Sequence, residues 1–220
     1  MAGPVVRLGP NEVAVTNIEA VKKIYNARET FRKTSWYKDL SVTSENVFNT
    51  NRTELHRRLR RLLSGSIVKW TLFTKVFKDQ GKEEGLSPVE LRGNASAYIV
   101  AGSDSTAVTL TYLVWSICRD PKVKAALLAE LQTLPDDFTI ANLRGMDYLN
   151  AVIDETMRLH SGIQSALPRW VPESGDNIAG YWLPGGTTVC AQAYSMHRNP
   201  EVFPNPNVFD LRDGRCQQKI

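Results

Sequence analysis

The tightest constraint on this chain is a strong helix start followed by about thirty residues without a stop. Ser87-Pro88-Val89-Glu90 places serine at the N-cap, proline at the first helical position and glutamate at the third. The serine and glutamate side chains can each accept a hydrogen bond from a backbone N–H that the first turn leaves free, and proline has no N–H to lose. An apolar pattern then continues to Cys118, and Asp120-Pro121 is the first stop. At 1.5 Å per residue this makes a rod of about 45 Å. Ser103, Asp104, Ser105 and Thr106 lie near its middle. An aspartate at the centre of a membrane span costs about 2.5–3.5 kcal/mol. The stretch therefore predicts a core helix from Pro88 to Arg119, with Gly102 to Ser105 on its most buried face.

A chain of 220 residues, 42% hydrophobic and 23% charged, has ordinary globular composition. That excludes disordered, collagen-like and coiled-coil classes. A net charge of +4 falls well short of a dedicated nucleic-acid binder. Cys118, Cys190 and Cys216 are odd in number and lack paired spacing, which points to a reducing compartment and away from a disulfide framework or zinc knuckle. No signal peptide, transit peptide or membrane anchor is read at the start.

Around the long helix the pattern is mixed. Val5–Leu8 and Glu12–Val15 read as short strands about the turn Gly9-Pro10-Asn11. Asn17 can cap a helix from Ile18 to Tyr25. Residues 27–53 read as loop with a short turn, Glu54–Leu63 as a basic helix, and Val68–Lys78 as a further helix. Asp120-Pro121 opens a helix to about Gln132, and Leu149–His160 forms another, stopped by Gly162. Asn177–Trp182, a turn at Leu183-Pro-Gly-Gly186, and Thr187–Ala191 read as a β-hairpin. The tail from His197 reads as loop. The expected fold class is mainly α with a small β region, α+β.

Three clusters could carry chemistry. Ala101-Gly-Ser-Asp-Ser-Thr106 interrupts the long helix with a glycine, which costs about 1 kcal/mol relative to alanine. Serine and threonine there can bond back to the preceding turn and bend the helix. Gly102 would let a flat ligand approach the backbone, and Asp104 with Ser105 forms an acid–hydroxyl pair able to relay protons. The plain alternative is a kinked core helix with a solvated polar notch. Glu155 and Arg158 share a helix face at a spacing of three, which is common on surfaces and worth little there. Arg57, Arg58, Arg60 and Arg61, with His56 beside them, suit phosphate or carboxylate recognition, or form a solvated basic face. No aromatic interleaving accompanies them, and no phosphate loop, nucleophile elbow or histidine-based metal spacing occurs.

The order of these signals is more specific than any one of them. Ala101–Thr106 is followed by Glu155-Thr-Met-Arg158, then Leu167-Pro-Arg169, then Leu183-Pro-Gly-Gly-Thr-Thr188, then His197-Arg-Asn-Pro-Glu-Val-Phe-Pro-Asn-Pro206. In that order they resemble the cytochrome P-450 family of haem-thiolate monooxygenases, in wording closest to fungal members of secondary metabolism. The likeness is strong from Ser87 to Asp210 and less specific from Gly3 to Ser64.

The resemblance implies an incomplete cytochrome P-450 fold in one partial domain. By family, the long helix crosses one face of the haem, and its acid and hydroxyl help deliver protons for oxygen activation. Those positions are Asp104 and Ser105, with Thr106 next, and Ala101 and Gly102 would face the oxygen groove. The family usually has threonine where Ser105 stands. Glu155 and Arg158 match its buried structural pair, which implies that Arg158 reaches residues 197–212. His56 and Arg60 match a Trp-x-x-x-Arg spacing whose residues clamp the haem propionates, with histidine in place of tryptophan. Arg169 is a third propionate candidate. The implied cofactor is haem b, with electrons from NADPH through a cytochrome reductase. The implied substrate is a small hydrophobic organic molecule, and the implied location is the endoplasmic reticulum membrane. Nucleic acid is not expected as a partner.

The departures carry expectations of their own. Family members run to about twice this length, and helices that roof the substrate pocket are expected to be missing between Ser64 and Leu86. After Phe209 the text lacks the family's Pro-Glu-Arg element and its Phe-x-x-Gly-x-Arg-x-Cys-x-Gly loop, whose thiolate binds iron. Cys216 has no such frame and is not assigned as a metal ligand. The expectation is a truncated chain, inactive as written. The alternative is a non-catalytic fragment or a binding protein from a truncated gene.

Overall fold

The computed structural model describes residues 3–26, 30–39, 44–64 and 85–211. The helix expected at Val68–Lys78 and the tail with Cys216 lie outside the described residues. The chain divides into two compact units, one of residues 1–102 and 166–191, the other of 103–165 and 192–220.

The first unit is built on a five-stranded sheet in the order β1 (Val5–Gly9), β2 (Glu12–Val15), β7 (Thr188–Cys190), β4 (Arg169–Trp170), β3 (Arg32–Lys33). Strands β1 (Val5–Gly9) and β2 (Glu12–Val15) form the expected antiparallel pair about Gly9-Pro10-Asn11. Helix α1 (Ile18–Ile24) follows at once, its first turn closed by the Asn17 side chain accepting from the Ala20 N–H at 2.9 Å. Ala20 and Ile24 then pack on the sheet through Val13, Val15, Val171 and Val189. Two elements arise in the stretch read as loop. Strand β3 (Arg32–Lys33) pairs antiparallel with β4 (Arg169–Trp170), and α2 (Trp36–Asp39) buries Tyr37. Helix α3 (Thr53–Ser64) buries Leu59 and Leu63 against Leu86.

The expected hairpin between Asn177–Trp182 and Thr187–Ala191 does not form. Strands β5 (Asp176–Ile178) and β6 (Tyr181–Leu183) pair with each other, and the turn falls at Ala179-Gly180 rather than at Pro184-Gly-Gly186. Both turn residues have positive φ, 51° and 89°. That is the demand of a two-residue hairpin whose twist matches its strands. Strand β7 (Thr188–Cys190) leaves this hairpin and inserts between β2 and β4, parallel to the first and antiparallel to the second.

Helix α4 runs from Pro88 to Arg119, as the capping box and the Asp-Pro stop predict. Glu90 accepts from the Ser87 N–H and hydroxyl, each at 2.9 Å, and the Ser87 hydroxyl accepts from the Glu90 N–H at 3.3 Å. The second unit holds the later half of α4 together with α5 (Pro121–Leu131), α6 (Ile140–Arg144), α7 (Asp147–His160) and α8 (Ala193–Met196). Helix α7 has no side-chain cap of its own at Met146. The Glu130 carboxylate of α5 fills that role, accepting from the Tyr148 and Leu149 N–H groups at 2.8 Å each. An acid at a helix N-terminus also complements its dipole. No described helix is long and apolar enough to cross a membrane.

Candidate functional site

In the first unit, α3 and the strands β3 and β4 bring cations to one place. His56, Arg60 and Arg169 line a single cavity of about 390 Å³, with Arg32, Lys33, Arg52, Tyr25, Thr50 and Phe31. The three propionate candidates, 113 residues apart at the extremes (169 − 56), are thus neighbours. The long-range step is made by the sheet, where β3 and β4 pair Lys33 with Arg169 and Arg32 with Trp170.

The arginines of α3 do not act as one face. Arg57 pairs with Glu54 at 3.0 Å on the surface. Arg58 donates to Glu90 at 2.6 Å and to the Gly85 carbonyl at 2.8 Å, tying α3 to the start of α4. Arg60 faces the cavity, and no hydrogen bond or ion pair to its guanidinium is found among the described residues. Arg60 is therefore available to a ligand in that cavity.

Arg169 is held from several sides. Its Nη1 donates to the Tyr37 hydroxyl and to the carbonyls of Pro168 at 3.1 Å and Leu167 at 3.4 Å. Its guanidinium carbon lies 5.1 Å from the ring centres of both Tyr25 and Tyr37. The Tyr25 hydroxyl donates to Leu167 O at 2.7 Å and accepts from the Ala191 N–H at 3.0 Å. Burial raises the pKa of both phenols above the ordinary value, so both stay neutral at physiological pH. A flat ligand with two carboxylates at one edge matches this donor set, since guanidinium forks suit carboxylates. The cavity fits the carboxylate edge of haem.

The described cysteines do not supply an iron ligand. Cys190 is buried in β7, its thiol donating to the Val13 carbonyl at 3.7 Å, and burial followed by the nearby Glu12 charge raises its pKa. Cys118 is exposed on α4. No group of three or more histidine, cysteine or acidic residues able to hold a metal occurs among the described residues.

Along α4 the expected burial is not found. Ala101, Gly102, Ser103, Asp104 and Thr106 are exposed and Ser105 is half-buried. So are Ile99, Val100, Leu110 and Val114, each more than half exposed. The helix is apolar all round, the pattern of a helix covered on every side, yet only Gly93, Asn94 and Ser116 are buried on it. Ser105 lies close to Gly162, on which an added Cβ would come within 3.1 Å of the Ser105 Cα. The Ser105 carbonyl accepts from the Thr109 hydroxyl at 2.8 Å, the back-bonding expected of such a cluster.

Glu155 and Arg158 are buried together, each 8% exposed. Arg158 donates Nε and Nη2 to the two carboxylate oxygens, both at 2.7 Å. It then reaches the carbonyls of His197 at 2.8 Å, Pro206 at 2.7 Å and Val208 at 3.0 Å. Glu155 also accepts from the Asp210 N–H at 2.9 Å. The pair thus fixes the 197–210 loop on α7, as expected for the structural pair.

Two histidines of this unit are held below their ordinary pKa. His160 stacks on Tyr112 at 4.2 Å and meets Trp115 edge-on at 5.8 Å. Burial, then Arg198 and Arg158, lowers its pKa. Burial is also the main cause at His197, with Arg158 and Arg198 nearby. The folded state therefore binds fewer protons than the unfolded state once pH drops below the free value of about 6.5. The stability this contributes is present above that pH and is lost as pH falls through the folded values. The thermal midpoint is expected to fall between pH 7.5 and 5.5, and His160→Phe, which keeps a ring, to flatten that fall. An equal slope in the variant would contradict it.

The sequence reading did not single out Tyr25, Arg32, Lys33, Arg52 or Tyr37 as pocket residues. Their only local signal was the pairing of basic and aromatic residues in Arg32-Lys33 and Trp36-Tyr37.

Comparison with known proteins accords with this architecture. The family profile described as Cytochrome P450 matches residues 66–212. Cytochrome P450 monooxygenase orf2 of Aspergillus niger is 54% identical over 142 residues, 64% of this chain and 28% of that protein. Cytochrome P450 monooxygenase stcB of Emericella nidulans is 31% identical over 183 residues, 81% of this chain and 34% of that protein. The chain therefore spans about a third or less of these curated relatives. Among solved structures, a zebrafish cytochrome P450 with progesterone aligns with a TM-score of 0.76 over 97% of this chain and 81% of that one, at 13% identity, a likeness of fold.

Proposed function

Since the chain belongs to the cytochrome P450 family, we propose that it carries the carboxylate-clamping and proton-delivery parts of a haem-dependent monooxygenase acting on a small hydrophobic organic substrate. The observation that carries this reading is the convergence of His56, Arg60 and Arg169 on one cavity. When bound, haem would supply activation of dioxygen and insertion of one oxygen atom into the substrate, with NADPH electrons arriving through a reductase. Haem binding, the redox partner and placement at the endoplasmic reticulum are what membership of the family suggests.

The residues of this chain have separate tasks in the reading. Arg60 and Arg169 hold the two carboxylates by charge-assisted hydrogen bonds, and His56 adds a third donor. Gly102 and Ala101 leave the α4 surface low where a flat ring must come close. Asp104 and the Ser105 hydroxyl relay a proton taken from solvent, the hydroxyl giving up its own proton as it accepts one, with Thr106 beside them. Glu155 and Arg158 take no part in the chemistry and hold the 197–210 loop.

A second reading is a non-catalytic fragment or binding protein. The 220 residues contain no Phe-x-x-Gly-x-Arg-x-Cys-x-Gly sequence. On this reading the carboxylate clamp survives and the chemistry does not.

Titration with haemin, followed in the Soret band, tests the clamp. A hydrogen bond to a charged group is worth about 1.5–3 kcal/mol, so Arg60→Ala and Arg169→Ala should each weaken binding by about tenfold or more. Unchanged affinity in both variants would remove the basis of the reading.

A further inference from the structure

Arg169 differs from the arginines of α3 and from Arg52 in the company it keeps. Arg52, Arg57 and Arg58 each meet a carboxylate, from Glu45, Glu54 and Glu90. The side-chain acceptor for Arg169 is instead the phenol of Tyr37, and no acid pairs with it among the described residues. A carboxylate partner would cancel the cation. A neutral phenol orients it and leaves its charge available.

The orientation is one-sided. All three hydrogen bonds of the guanidinium run from Nη1. Neither Nε nor Nη2 has a partner among the described residues, and these two groups form the edge that grips a carboxylate with two parallel bonds. The rotamer freedom of a long side chain is what normally weakens such a contact. Here Tyr25 and Tyr37 flank the guanidinium, and Tyr37 is itself immobilised. Tyr37 is 1% exposed, with its ring edge-on to Trp36 at 5.1 Å and Phe48 at 5.6 Å.

Resting on the cavity as a carboxylate seat, we infer that Tyr37 is a positioning residue: its hydroxyl anchors Nη1 of Arg169 so that the Nε–Nη2 edge is presented, already oriented, to an anionic ligand. Pre-organisation of this kind raises affinity by removing an ordering cost rather than by adding a contact. Tyr37 never touches the ligand and acts only through Arg169.

The test uses the 220-residue chain and iron-free mesoporphyrin IX, a flat ligand with two carboxylates, beside its dimethyl ester, which has none. Binding is read by porphyrin fluorescence. Tyr37→Phe keeps the ring and removes the acceptor. It should weaken diacid binding by about fivefold, the worth of one net hydrogen bond, and leave the ester unchanged. Arg169→Lys keeps the charge but not the two-pronged edge and should also lose diacid affinity. In an Arg169→Ala background, Tyr37→Phe should have no further effect, because the two act as one unit. The role of Tyr37 is overturned if Tyr37→Phe leaves diacid binding intact, weakens diacid and ester alike, or adds in full to Arg169→Ala. If Arg169→Ala itself leaves diacid binding intact, the carboxylate seat is wrong and the role of Tyr37 goes with it.

Discussion

Glu155→Ala is expected to collapse the yield of soluble protein. The substitution leaves the Arg158 guanidinium, 8% exposed, without its counter-ion. Removing one partner of a buried pair typically costs about 3–5 kcal/mol, because the survivor is a buried unpaired charge. Total stabilities are about 5–15 kcal/mol, so this is a large fraction. At about 2–4 °C per kcal/mol for a chain of this size, the thermal midpoint should fall by about 6–20 °C. Arg158→Ala should be as severe. It strands the Glu155 carboxylate and also frees the carbonyls of His197, Pro206 and Val208, which hold the 197–210 loop. Arg158→Lys should not rescue it, since one ammonium cannot reach both carboxylate oxygens and three carbonyls that converge on a planar fork. Calorimetry and the soluble fraction measure this. A variant within a degree or two of the parent would show the pair to be dispensable.

What was legible in the sequence depends on how local the cause is. Helix α4 was readable because both its ends carry chemical signals, Ser87-Pro88-Val89-Glu90 and Asp120-Pro121. Its cover was not readable. A helix apolar on every side says that something must surround it, and the exposure of Gly102 to Asp104 shows that little among the described residues does. The Glu155–Arg158 pair illustrates the opposite limit. A spacing of three puts two groups on one face but says nothing about burial, and only the order of motifs along the chain pointed to it. Strand β3 and helix α2 were missed because two and four residues carry no period. They exist through the distant pairing of Arg32 and Lys33 with β4, and through the burial of Tyr37. The louder turn signal, Pro184-Gly-Gly186, misled for a physical reason: the β5–β6 hairpin needs two successive residues of positive φ, and Ala179-Gly180 supplies them.

The second large effect concerns the iron. Haem added to the purified 220-residue chain, reduced and treated with carbon monoxide, is expected to give no thiolate-type long-wavelength Soret band and no turnover with a reductase. Thiolate ligation is what favours O–O cleavage in this family, and it needs an ionised sulfur presented to the iron. Cys190 cannot present one. It is 1% exposed and bonded to Val13, and burial raises its pKa, so at neutral pH it is a thiol locked inside a sheet. Cys118 is exposed on the side of a regular helix, where no loop holds it. Cys216 lies outside the described residues, within Asp213-Gly-Arg-Cys-Gln217, which lacks the family's glycine-framed loop. Retention of haem and thiolate ligation should therefore separate. Affinity should respond to Arg60→Ala and Arg169→Ala, while the band stays absent in parent and variants alike. A clear thiolate band that disappears in Cys216→Ser would reverse this conclusion. It would make the chain a working minimal haem enzyme, with Cys216 held to the iron by a loop of its own.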